Sequence, residues 1–435
     1  MRVAVLELND QALQIKTQDG EVFSEPGFAL HTSTGIITGT EARNEAWLQP
    51  QNVYRQYWRD LNQNKLPGNL QWARHNADIA FAQLKNLLLS AGSPEQLVVS
   101  VAATFDDEQL SLLLGLLSAI PTTVISVVDS SLADCMGLAN SVYASTDTEH
   151  KTLHIDLHLY QSVVSQMTFT DNAITVTAQR VFPEIGAMHV YTLLANHIRD
   201  KLVKDFRFDP LDAPQGEQAI YNLLPDWILR FASHAEYGLV VSSPRGDLPV
   251  ILHKSDVLDL MESRLGKLSA MLRKHSESDV TFSSNAQIVS ILTNEFHASR
   301  YLRATQGADN CLKFIDNFRQ NSGNLHRITH IQKLPGEAEK RRLKIKSPGL
   351  ATHLLYDGQA WPLNAPLSIT IENGKVQIIE ENDDTATAVM MIENNRIVAL
   401  HKGPQVTLEL PHITLGGMEL HINDYRFELI EVCSD

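Results

Sequence analysis

One pattern occurs twice in this chain of 435 residues and constrains the fold more than any other: three strand-like segments in a row, then helix-length runs. The first set is RVAVLEL, ALQIKT and FALHT. GIITGTEARNEAWLQ then reads as a strand running into a helix, and residues 75–91, HNADIAFAQLKNLLLSA, carry the apolar spacing of a long helix. The strands QLVVSVAA and TTVISVVD follow, separated by the helical FDDEQLSLLLGLLSAI and trailed by SSLADCMGLANSVY. Unbroken apolar strands are those covered on both faces, so this alternation predicts an α/β sheet between helical layers. The second set, TLHIDLHL, QSVVSQMTF and AITVTAQRVF, leads into a helix from His189 to about Asp205. Two similar lobes are therefore expected, at residues 1–150 and 151–325.

The character changes after Ser347. LATHLLYDG, LSITIENG, KVQIIEEN, AVMMIENN and RIVALHKG are short strands parted by Asn, Asp and Gly turns, which predicts an all-β domain, small and sandwich-like, over 348–435. A linker is expected at 326–347, where HIQKLPGEAEKRRLKIKSPG supplies Pro, Gly and charge. Its basic stretch EKRRLKIK, residues 339–346, reads as solvated linker rather than a phosphate-binding patch.

Charge and cysteines narrow the function classes. A net charge of −15 argues against nucleic acid and acidic membranes, because phosphate binding needs a positive surface. No apolar run has membrane-spanning length, and MRVAVLELND reaches an acid at Glu7, so it reads as a buried first strand and a cytoplasmic location is expected. Cys135, Cys311 and Cys433 are far apart and match no zinc or redox spacing, so they are expected to be free thiols.

The stretch LHIDLHLYQS, residues 153–162, puts His154, Asp156 and His158 at alternate positions of an apolar run. On a strand these share one face about 7 Å apart, so two imidazoles and a carboxylate are candidates for zinc. The spacing equally suits a phosphate loop whose glycines have been replaced.

Six segments, in order, decide between these. GTEARNEAWLQPQNVYRQYWRDL resembles the "G…AK…A..NP.NTV…KR.IG" stretch of the 70-kDa heat-shock chaperones of the DnaK type. LVVSVAATFDDEQLSLLLGLLSAI resembles their "VITVPAYFND.QR.A…AG", and VISVVDSSLADCMG stands where they have "R.INEPTAAA". FASHAEYGLVVSS, KSDVLDLMESRL and VTFSSNAQIVSILTNEF resemble "AE.AK..LSS", "TR.EFE.L…L" and "V.LVGGSSRIP.V…L…F". The resemblance covers about residues 1–320 and implies the two-lobed actin-like ATPase fold, with duplicated ribonuclease H-like lobes and a final helix of lobe II returning to lobe I. It places Asp156 on the acid that opens the second phosphate loop, and a metal held by histidines has no counterpart in that family.

The loops depart from the family where the chemistry lies. The family's "DLGGGT" becomes DLHLYQ, so His158, Leu159 and Tyr160 replace three glycines. Phosphate cradles need backbone N–H groups that side chains do not obstruct. In the first loop "DLGTTNS" becomes ELNDQAL: Glu7 replaces the aspartate, and Asn9, Asp10 and Gln11 replace Gly-Thr-Thr. Asp10 adds negative charge beside any triphosphate. The catalytic lysine aligns with Trp58, which cannot carry its charge; Arg59 is next to it. On the adenosine side Ser242 is kept, Ser283 and Ser284 replace glycines, and Gln287 stands at the arginine that covers the base.

The resemblance thus implies a pseudo-ATPase acting as a protein-binding or assembly module, with no catalytic residue assigned and no cofactor expected. Two alternatives stay open: a chaperone-like ATPase binding ATP and Mg²⁺ through an atypical site, and an actin-like protein that self-assembles. Any nucleotide would meet Glu7, Asn9, Asp10, Gln11, Asp129, Asp156, His158, Ser242, Ser283, Ser284 and Asn285, with Asp156 and Glu7 as metal ligands. The partner expected is an unidentified protein or a second copy of the chain. Trp47, Trp58 and Trp72 form either an exposed aromatic patch for it or local core. GPQVTLELPHITLGGMELHINDYRFELIEV near the end resembles the last strands of forkhead-associated domains but lacks their phosphothreonine-reading motif, so a sandwich for protein contacts is expected.

Overall fold

Residues 2–67, 71–138, 149–170, 173–231, 234–274, 279–289, 299–320, 325–332, 351–372, 375–393, 396–404, 406–409, 419–423 and 425–430 are described by the computed structural model. The chain is mixed α/β and divides into two units, Met1–Pro335 and Gly336–Asp435.

The first unit opens with an antiparallel meander of β1 (Val3–Leu8), β2 (Leu13–Thr17) and β3 (Val22–Glu25). A small sheet of β4 (Ala29–His31), β5 (Ile36–Thr38) and β6 (Val53–Tyr54) follows, with α1 (Thr40–Asn44) between its last two strands. Next come α2 (Asn76–Ser90), β7 (Gln96–Val101), α3 (Asp107–Ser118), β8 (Thr123–Asp129) and α4 (Ser130–Cys135). β7 lies parallel to β1, and β8 parallel to β7. Successive residues of VAVLEL point to opposite faces, and both faces are covered, so the strand is apolar but for Glu7. Ala4, Leu6 and Leu8 pack with Leu84, Leu88, Leu113 and Leu117 of the helices, while Val3 and Val5 turn to the opposite face. α3 starts where FDDEQ predicts, at a capping box of Asp106 and Gln109.

The second sheet repeats this order. β9 (His150–Leu157), β10 (Ser162–Phe169) and β11 (Ala173–Phe182) form an antiparallel meander. After it come α5 (Ala187–Phe206), α6 (Pro214–Arg230), the hairpin β12 (Glu236–Ser243) and β13 (Gly246–His253), and α7 (Lys254–Lys274). β14 (Asp279–Phe282) and β15 (Ser299–Tyr301) then add parallel strands beside β9. The order β3-β2-β1-β7-β8 in one sheet thus matches β11-β10-β9-β14-β15 in the other, strand sense included. α8 (Gln306–Lys313), followed by α9 (Ile315–Phe318), carries the chain back to pack on β1 and α4.

Residues 327–332, which the sequence pattern gives to the linker, are instead strands of the first unit. β16 (Arg327–Ile328) pairs with β8, and β17 (His330–Gln332) pairs with β11, so one short segment extends both sheets. EKRRLKIK lies outside the described residues.

The second unit, by itself, has two antiparallel sheets. One includes His353–Tyr356, Gln359–Pro362, Glu419–Ile422 and Tyr425–Ile430, and the other Leu367–Glu372, Lys375–Ile379, Ala388–Glu393 and Arg396–Lys402. Leu354, Phe427 and Leu429 of the first share a core with Leu367, Ile369 and Met390 of the second, as in a β-sandwich. Residues 410–418, the turn of the forkhead-associated resemblance, lie outside the described residues. Among the described residues no helix is long and apolar enough to cross a membrane.

Candidate functional site

The two meanders present equivalent turns to one another. After β1 the turn of residues 9–12 closes with Ala12 N–H on the Asn9 carbonyl, and after β9 the turn of residues 158–161 closes with His158 N–H on the Gln161 carbonyl. Side chains from the first turn cross to the second. Asn9 Nδ2 donates to both Asp156 oxygens at 3.1 Å and to the Leu157 carbonyl at 3.0 Å. Gln11 Nε2 donates to the same carbonyl at 2.6 Å and to that of Asn285 at 3.4 Å. In return Leu159 N–H donates to Asp10 Oδ1 at 2.7 Å. The groups expected to surround phosphates are therefore bound to one another.

His158 sits between the two acids, with Nδ1 3.4 Å from Asp10 Oδ1 and Nε2 3.4 Å from Asp156 Oδ2. The second contact is an ion pair without hydrogen-bond alignment. Burial pushes the imidazole pKa down, but Asp10 and Asp156 outweigh it and raise it to about 10. Asp156 shows the converse: burial pushes its carboxyl up, yet His158, His154 and the Ser283 hydroxyl hold it below the usual range. Ser283 Oγ donates to Asp156 Oδ1 at 2.6 Å and accepts Ala286 N–H, so one side chain serves both the acid and the turn that follows β14. Ser284 lies half-buried in that turn.

Along β1, the half-buried Glu7 accepts from Gln14 Nε2 at 2.7 Å, its cross-strand neighbour. Burial first, then the nearby Asp134, raise its pKa well above the carboxylate norm. Asp134 is itself pushed up, chiefly by burial, and accepts from or donates to His154 Nε2 at 2.9 Å. Burial lowers and Asp134 raises the His154 pKa, with a net rise. Glu7 and Asp134 both lie against Gly307, where a Cβ would strike their carboxylate oxygens, so the first turn of α8 closes over this pair without displacing them because residue 307 is glycine. Asp129 caps α4 through Ser131 and accepts from Gln179 Nε2 at 3.1 and 3.3 Å.

Eight of the sequence-predicted positions fall in this assembly directly: Glu7, Asn9, Asp10, Gln11, Asp156, His158, Ser283 and, through its carbonyl, Asn285. Asp129 flanks it. Ser242 is not brought there: it is exposed on the β12–β13 hairpin and donates to Asp247. Asp134, His154 and Gln14 belong to the assembly and were not assigned to it from the sequence. Gln14 had a signal, being a polar residue placed opposite Glu7 by the hairpin register; Asp134, in a short helix, had none. His154 and His158 turn to different carboxylates, and among the described residues no group of three or more His, Cys, Asp or Glu is placed to hold a metal ion.

The space left is small. A cavity of about 10 Å³, room for about one water, is lined by Asp10, Trp58, Arg59, Thr104, His158 and Gln161 among others. Trp58 is buried, and its Nε1 donates to Gln83 Oε1 at 2.8 Å. Farther out, Trp47 stacks on Tyr221 of α6 at 4.1 Å and 18°, under the Arg55 guanidinium. Its backbone N–H donates to the buried Gln218 Oε1. The tryptophans thus form no common patch: Trp47 and Trp58 belong to separate cores, and only Trp72 is exposed. Cys135 and Cys311 are buried free thiols, and Cys433 lies outside the described residues. Neither the family models nor the curated proteins compared with this chain match it, so any function has to be built from the geometry of this cluster.

Proposed function

We propose that the chain is a pseudo-ATPase of the two-lobed, heat-shock/actin-like fold, whose cleft is filled by its own side chains, and that it works as a protein-binding or assembly module. The repeated strand order of the two sheets supports the fold. The observation that carries the function is the closure of one turn upon the other: Leu159 N–H, a donor a phosphate would need, is spent on Asp10, and room for about one water remains beside it. A triphosphate there would have to displace Asp10 and approach the Asp10 and Asp156 carboxylates in a site of low dielectric, both of which oppose binding. Asn9 and Gln11 of the first turn act as interlobe ties instead of phosphate contacts.

Calorimetry with MgATP and MgADP on the intact protein tests this. No binding heat at millimolar nucleotide is expected, and micromolar affinity would overturn the reading in favour of an ATP-binding chaperone-like protein. Concentration-dependent sizing on the same sample distinguishes self-assembly from binding to another protein.

A further inference from the structure

Asp10 is held in the way a bound anion is held. Its side chain is 4% exposed, one oxygen accepts Leu159 N–H at 2.7 Å, and His158 Nδ1 stands 3.4 Å from that same oxygen. A backbone N–H and a cationic ring converging on one oxygen are the contacts proteins offer to small oxyanions. The carbonyls on either side of that N–H are fixed as well: Ala187 and Met188 N–H, the first amides of α5, donate to the His158 and Leu159 carbonyls. Gly186 lets the helix approach this closely, since a Cβ there would fall 2.5 Å from Gln161 N. The donor is thus rigidly aimed at the Asp10 carboxylate, and the adjoining cavity adds Arg59, Thr104 and Gln161.

We propose that this is an oxyanion site occupied in cis: the Asp10 carboxylate is its resident ligand, and truncating Asp10 opens the site to a small free carboxylate. The inference rests on the reading of a self-filled cleft, but its test is scored without nucleotide, so nucleotide binding by the native protein and failure of this test are separate results.

The test is chemical rescue. Asp10→Ala removes the carboxylate alone, and formate replaces it in size and charge. Thermal unfolding of native protein, Asp10→Ala and Asp10→Asn is followed with rising formate, against chloride at equal ionic strength. Formate is expected to raise the Tm of Asp10→Ala selectively by about 2 °C or more, the linkage expected of a ligand that binds the folded state. Native protein and Asp10→Asn, whose side chains fill the space, are expected to respond to formate as they do to chloride. A parallel arm with inorganic phosphate sets the size of the site, and rescue by phosphate also counts in its favour. Equal responses of all three proteins, or an Asp10→Ala chain that stays unfolded in formate, would overturn the proposal.

Discussion

His158 is the residue on which the two loops meet, and its protonation links their closure to pH. Its folded pKa of about 10 lies above the ordinary histidine value, so its stabilising contribution is complete below about pH 6.5 and is lost as pH rises toward 10. His154, also raised, acts in the same direction, and so does Glu7, raised by burial and then by Asp134. Asp156, held low, opposes them only in acid, losing its contribution as pH falls below the usual carboxylate range. Thermal unfolding scanned from pH 6 to 10 is therefore expected to show a falling Tm, and His158→Gln should flatten that slope, with a contribution on the order of a few kcal/mol at stake. An unchanged slope in the variant would remove His158 from the linkage. The sequence identified His158, Asp10 and Asp156 individually because each replaces or retains a loop position of the resembled family. It could not tell that Asp10 faces the opposite turn as a ligand, because that depends on how two turns approach whose contacting residues are 149 apart in the chain.

At the level of elements, strands and helices with unambiguous periodicity were legible. The helix read at 75–91 is Asn76–Ser90, and the one from His189 to about Asp205 is Ala187–Phe206. The sequence pattern assigns no element to α6, inside which stands Pro225, a residue that normally ends a helix. That helix supplies Tyr221 and Gln218, so the aromatic seam with Trp47 was invisible from the tryptophan spacing alone. The seam is a second long-range tie within the first unit, apolar where the contact between the turns is ionic. Trp47→Ala is expected to cost about 3–5 kcal/mol in denaturant unfolding of the full chain, since it empties a buried ring site and leaves the Tyr221 face unpacked. A loss under about 1 kcal/mol would mean that the seam is not a closed contact in solution.

For the whole molecule, the doubled pattern of strands followed by helices translates into two sheets of one strand order, and the late run of short strands into a separate sandwich core. The third strand of the first set is corrected: FALHT forms β4 of the small separate sheet, and Val22–Glu25 takes the place beside β2, where the hairpin register puts it. What escaped was the double use of residues 327–332, two strands too short to show any periodicity, placed by pairing with strands already formed. The central claim is that the two turns are closed on one another within the first unit. Hydrogen exchange of the Leu159 amide, followed with and without MgATP, tests it most directly, because that N–H is committed to Asp10 only while the two turns are closed. Strong protection unchanged by nucleotide is predicted; fast exchange in the free protein that slows when MgATP is added would contradict it.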